Sequence, residues 1–159
     1  MAQSAHLFQS DPTLDDATVA YAIESHRAFE DLRQVLAQIG GVMVLAAAGG
    51  KSATPDHPML DAARELYRGA IDRLNGLEAT PRARHHHRHL LSAAQALDGT
   101  LIAAQRHLHR KAGREIDLDA ILKALRTAQT EMEHVARLLP GFDLVDFSHG
   151  CCAEHRSKN

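Results

Sequence analysis

The stretch Pro81–Gly113, PRARHHHRHLLSAAQALDGTLIAAQRHLHRKAG, decides the fold. Thr80 before it suits a helix N-cap. Pro81 suits the first helical position, where its missing N–H would be unbonded in any case. His87, Leu90, Ala94, Leu97, Leu101, Ala104 and Leu108 recur at alternating spacings of three and four. That pattern puts a narrow stripe on one helix face, as bundle packing requires. Gly113, after the basic turn His109-Arg110-Lys111, predicts a helix end near 112. The first inward position of the stripe falls on His87, which reads either as a half-buried histidine closing the core or as a ligand.

Working outward, three more helices follow from the same reasoning. The first is expected over about 12–48, with Asp11 as cap and Pro12 at the first position. Its stripe is Phe29, Leu32, Leu36, Ile39, Met43 and Ala46. Gly40 and Gly41 cost about 1 kcal/mol each relative to alanine inside a helix, and close helix contact is the expected offset. Val42–Ala48 is apolar all round, so it is expected to be enclosed by the bundle or by a second chain. Pro58 opens a second helix over about 58–78. The short turn at Ala79-Thr80 forces an antiparallel neighbour over 81–112. Asp117 caps a fourth helix over about 118–139, ended by Pro140 and Gly141. The fold expected is an all-α, up-down-up-down four-helix bundle in one domain, with an irregular tail over 140–159.

The two halves look related. Gly41 and Gly99 are 58 residues apart, and so are Leu60-Asp61-Ala62 and Leu118-Asp119-Ala120. At that offset Leu32 matches Leu90, Ala70 matches Ala128 and Phe29 falls on His87. The bundle is then two duplicated αα-hairpins.

Composition narrows the function. The 159 residues are 45% hydrophobic but only 4% aromatic, so alanine and leucine do the packing, which suits closely spaced helices. A formal charge of −2 gives no nucleic-acid footprint. The longest apolar run is too short to span a bilayer, and Met1–Ser10 lacks the pattern of a secretory signal, so a cytoplasmic location is expected. The only two cysteines are adjacent, which excludes a disulfide framework. The 12 histidines are the unusual feature: protonating all of them would move the charge from −2 to +10.

Topology collects many of these histidines at one end of the bundle. That end receives His26, the run His85-His86-His87 with His89, Glu131 with His134, and the tail His149, Cys151, Cys152 and His155. Imidazole, carboxylate and thiolate are ligands for zinc, copper and iron, and bundle-core metal sites are built from facing helices. The candidate metal ligands are His86, His87, His26, Glu131, Cys151, Cys152, His149 and His155. Helical periodicity places His87 inward, His86, His26 and Glu131 on the flanks, and His85, His89 and His134 outward. Phe142, Leu144, Val145 and Phe147 carry too much apolar surface to float free, so the tail is expected to dock on the bundle and bring the cysteines to the same site.

His26-x-x-x-Glu30 and His85-x-x-x-His89 resemble the paired ligands of hemerythrin-like di-iron bundles, and Glu131-x-x-His134 resembles the ExxH of ferritin-like ones. The second helix has no internal histidine and the single ExxH has no partner, so neither family is adopted. His89-x-Leu91-Ser92-Ala93 with Gly99 resembles a histidine phosphotransfer motif, with its lysine replaced by Ser92 and its first glycine by Ala93. The reading is a small non-catalytic binding protein with a transition metal at the histidine-rich end, forming a homodimer through Val42–Ala48. The alternatives are a metal-dependent or thiol redox enzyme using the same cluster, and a phosphotransfer module.

Overall fold

The computed structural model describes residues 14–48, 57–109 and 118–144. It is a four-helix bundle: α1 Asp16–Ala47, α2 Pro58–Gly76, α3 Arg84–His109 and α4 Leu118–Leu138, with no strand among the described residues. The α1/α2 and α3/α4 hairpins are the closest-packed pairs, and α1 against α3 is the main contact between them. None of these helices is long and apolar enough to cross a membrane.

Local chemistry sets the helix ends. Asp15 caps α1: its Oδ1 accepts from the Thr18 N–H at 2.8 Å. The expected cap at Asp11 and Pro12 lies outside the described residues. Thr18 Oγ1 donates to Asp15 Oδ2 at 3.0 Å, so it must accept at its 2.9 Å contact with Thr80 Oγ1. Thr80 Oγ1 accepts in turn from the Ala83 N–H at 3.2 Å. This relay pins the start of α1 to the α2–α3 turn. Residues 81–83 form their own turn, because the Ala83 N–H also reaches Thr80 O at 3.0 Å, and α3 begins at Arg84 rather than Pro81. His57 caps α2 through Nδ1, which accepts from the Met59 N–H at 3.2 Å, ahead of Pro58. After α4, Gly141 takes φ 84°, a left-handed conformation that favours glycine. The chain turns there, and Phe142 enters the core fully buried.

The burial pattern repeats at the 58-residue offset. Ser25 and Ala83, Ala28 and His86, Val35 and Ala93, Val42 and Thr100, and Leu74 and Met132 are all buried. Several pairs break the pattern, among them Phe29, fully buried, and His87, half-buried. The core counterpart of Ala28 is therefore His86.

Of the two covers expected for Val42–Ala48 one falls, and the expectation about the glycines is corrected. The segment Val42–Ala48 is not enclosed by its own helices: Val42 and Met43 are buried, but Val44 is 69% and Leu45 40% exposed. Nor do the glycines mark close backbone contact. A Cβ on Gly40 would meet nothing within 4 Å, and one on Gly41 only the Met59 sulfur at 3.6 Å. Gly40→Ala is therefore expected to stabilise the protein by about 0.5–1 kcal/mol, by restricting the unfolded chain and favouring helix. Urea denaturation checks this, and a loss of stability would show a contact that the geometry lacks.

Candidate metal centre

The histidine run opens α3, and its rings separate into two environments. His86 is the inward one, 1% exposed, while His87 is half-buried. The placement of His87 on the inner stripe is thus corrected by one residue, roughly 100° of helix rotation. His86 Nδ1 lies 3.0 Å from the Tyr21 hydroxyl, and His87 Nδ1 lies 3.3 Å from it. One hydroxyl has one proton and can donate it to only one ring, so at least one of the two Nδ1 atoms carries a proton and donates to the Tyr21 oxygen. His86 Nε2 has no hydrogen-bond partner. Phe142 closes on the same ring, with centroids 4.3 Å apart.

Burial sets the protonation of this pocket. It pushes Tyr21 up to about 12. It pushes His86 down to about 3, with His87 and His89 adding like-charge repulsion, and it also lowers His87. A histidine in the unfolded chain titrates near 6.5. Above that value both states are neutral at His86 and its contribution to stability is fully present. As pH falls from about 6.5 towards 3, the unfolded chain takes up a proton that the folded chain excludes, and stability is lost. At pH 5.5 the loss from this group is on the order of 1 kcal/mol. The melting temperature is expected to fall between pH 7.5 and 5.5, and to fall less steeply in His86→Phe. Equal slopes for the two proteins would count against this assignment.

The second environment joins α3 to α4. One turn past His85, His89 leans towards the facing helix, where Glu131 and His134 lie three residues apart on one flank of α4. His89 Nδ1 is 2.5 Å from Glu131 Oε2, with the two side chains 18% and 22% exposed. The rings of His89 and His134 are 5.0 Å apart, centroid to centroid. One ligand atom from each of His89, Glu131 and His134 falls within 4.8 Å of the others, and this is the only such His/Cys/Asp/Glu group among the described residues. His85 adjoins it, with Nε2 3.2 Å from His89 Nε2. Arg88 Nη2 is 2.6 Å from His85 Nδ1.

These contacts assign the tautomers. The Arg88 guanidinium can only donate, so His85 Nδ1 accepts and its proton sits on Nε2. His85 Nε2–H then donates to His89 Nε2, and His89 carries its own proton on Nδ1, facing the carboxylate. The relay Arg88–His85–His89–Glu131 is consistent along its length with both rings neutral. His85 is held below the ordinary imidazole range, first by lost hydration and then by Arg88, His89 and His134.

The residues expected from sequence thus divide. Glu131 joins the gathered group, together with His89 and His134, which periodicity had turned outward. His86 and His87 share Tyr21 instead, and His26 lies against Phe29 and Phe142, with ring centroids 6.5 and 5.6 Å away. Cys151, Cys152, His149 and His155 lie outside the described residues, as does the expected approach of the cysteines to the α3 histidines. Sequence reasoning missed Tyr21 altogether, because the α1 stripe was begun at Phe29. A groove of about 620 Å³ between α1 and α4 is not the candidate site. Its rim carboxylates are already paired, Glu30 with Arg33 and Asp31 with Arg73. The chain matches no known protein family, no curated protein and no solved structure.

Proposed function

We propose that this four-helix bundle binds a divalent transition-metal ion between α3 and α4, at the group formed by His89, Glu131 and His134. The observation that carries the reading is the convergence of three ligand-type atoms from two facing helices within 4.8 Å. Imidazole and carboxylate donors in that number suit zinc, copper or iron. Both ring nitrogens of His89 are engaged, one by Glu131 and one by His85, which favours this reading over phosphoryl transfer to a free imidazole. The test is the metal content of tag-free protein after equilibration with zinc and removal of the excess. One ion per chain is expected, with loss in His89→Ala and His134→Ala. Sub-stoichiometric zinc that neither substitution alters would overturn the reading.

A separate proposal concerns assembly. Val44 and Leu45 at the end of α1 present apolar side chains to solvent, and a second copy of the chain is the proposed cover. Sedimentation at micromolar concentration is expected to show a dimer that Val44→Glu dissociates. A monomer at every concentration would refute it.

A further inference from the structure

We infer that an ion held by His89, Glu131 and His134 takes the place of the His89 Nδ1 proton, and that Arg88 and His85 together hold that proton in place against it. This rests on the metal reading above, keeps its three ligands and adds a device that limits their affinity.

The first ground is which nitrogen can serve. Glu131 Oε2 lies 2.5 Å from His89 Nδ1, while His89 Nε2 points to the other side of the ring, 3.2 Å from His85 Nε2. An ion on Nε2 would have the imidazole ring between itself and that carboxylate oxygen. Glu131 and His89 therefore share one ion only through Nδ1. A zinc with nitrogen at about 2.0–2.1 Å and oxygen at about 2.0–2.2 Å sets the two atoms roughly 3.3 Å apart in a tetrahedron, so the pair has only to part slightly. The third donor is His134, whose ring lies 5.0 Å from that of His89 and whose ligand atom belongs to the same 4.8 Å group.

The second ground is the relay. A neutral His89 that gives Nδ1 to an ion must carry its proton on Nε2. That nitrogen faces His85 Nε2, which already bears a proton, because Arg88 Nη2 at 2.6 Å makes His85 Nδ1 an acceptor. Two N–H groups would then meet across 3.2 Å with no acceptor between them. Relief requires that His85 swing out, or that its proton move to Nδ1 and the guanidinium withdraw. Either way a hydrogen bond present without the ion is lost. The proton count does not change: each ring keeps one proton, moved between its nitrogens by exchange with water. Arg88 and His85 thus favour the tautomer of His89 that excludes the ion. Removing either should tighten binding, which loss of a ligand or of a merely structural residue would not do.

The experiment is zinc affinity by chelator competition on the full-length, tag-free protein, with circular dichroism to confirm that each variant is folded. Arg88→Ala and His85→Ala are each expected to tighten zinc by about 10-fold, the worth of one opposing hydrogen bond. The double variant should be no tighter than either single one, because both act through one proton. A gain from Arg88→Ala that persists in full on the His85→Ala background would be charge repulsion alone, and would overturn the relay. Glu131→Gln should lose the ion, and keeping it would put the carboxylate outside the shell and overturn the inference. Nitrogen-15 NMR of the imidazoles is expected to show the His89 proton on Nδ1 without zinc and on Nε2 with it. Unchanged or weaker binding in His85→Ala, or a His89 proton that stays on Nδ1 in the loaded protein, overturns the inference and leaves the metal site standing. If the parent protein takes up no stoichiometric zinc, the functional reading falls with it.

Discussion

Phe142→Ala is expected to lower the unfolding free energy by about 3–5 kcal/mol, the range for emptying a buried aromatic site. Phe142 follows the last helix by only a few residues, yet it is as buried as any residue of the core. Its ring stands edge-on to Phe29, with centroids 5.2 Å apart and planes at 83°, the geometry aromatic pairs favour. It also covers His86 and lies beside His26. Removing it would leave a void at the end of the bundle and let water reach a histidine now held neutral. A chain ended after Gly141 should show a similar loss, since it removes the same ring. Urea denaturation of both proteins tests this, and a change below about 1 kcal/mol would show that the ring is dispensable.

Zinc is expected to raise the thermal stability by an amount set by mass action alone. An ion that binds the folded chain and not the unfolded one adds about 2.7 kcal/mol at 100 times its dissociation constant. The ligands come from α3 and α4, so the ion ties one hairpin together. A chelator should abolish the gain, and so should His89→Ala. Copper(II) should act at lower concentration than zinc, following the general order of divalent affinities. A melting curve indifferent to zinc in the parent protein would contradict this expectation.

The bundle was legible because each helix carries a long apolar stripe, and because the turn between α2 and α3 is too short for anything but antiparallel neighbours. The docking of Phe142 was legible from the apolar content of the tail. The inward histidine was not. Leu90 lies three residues after His87 and four after His86, so either ring continues the stripe. The choice is made by Tyr21 and Phe142, residues distant in sequence. A signal was present in the seven-residue spacing of His86 and Ala93 with Leu90 and Leu97, which marks His86 as the core position. That one-residue error also turned His89 away from α4. The pairing of His89 with Glu131 depends on how the two helices of the hairpin are rotated about their axes, and neither helix's own periodicity contains that angle. Glycine was misread for a different reason: its cost in a helix is local, but the contact meant to offset it is absent at Gly40.

The most direct test of the metal centre is X-ray absorption at the zinc edge of the loaded, tag-free protein. The expected result is a shell of nitrogen and oxygen scatterers at about 2.0–2.1 Å, with the outer scattering of imidazole and no sulfur. A sulfur shell at about 2.3 Å would place Cys151 or Cys152 on the ion and contradict a centre built from α3 and α4 alone.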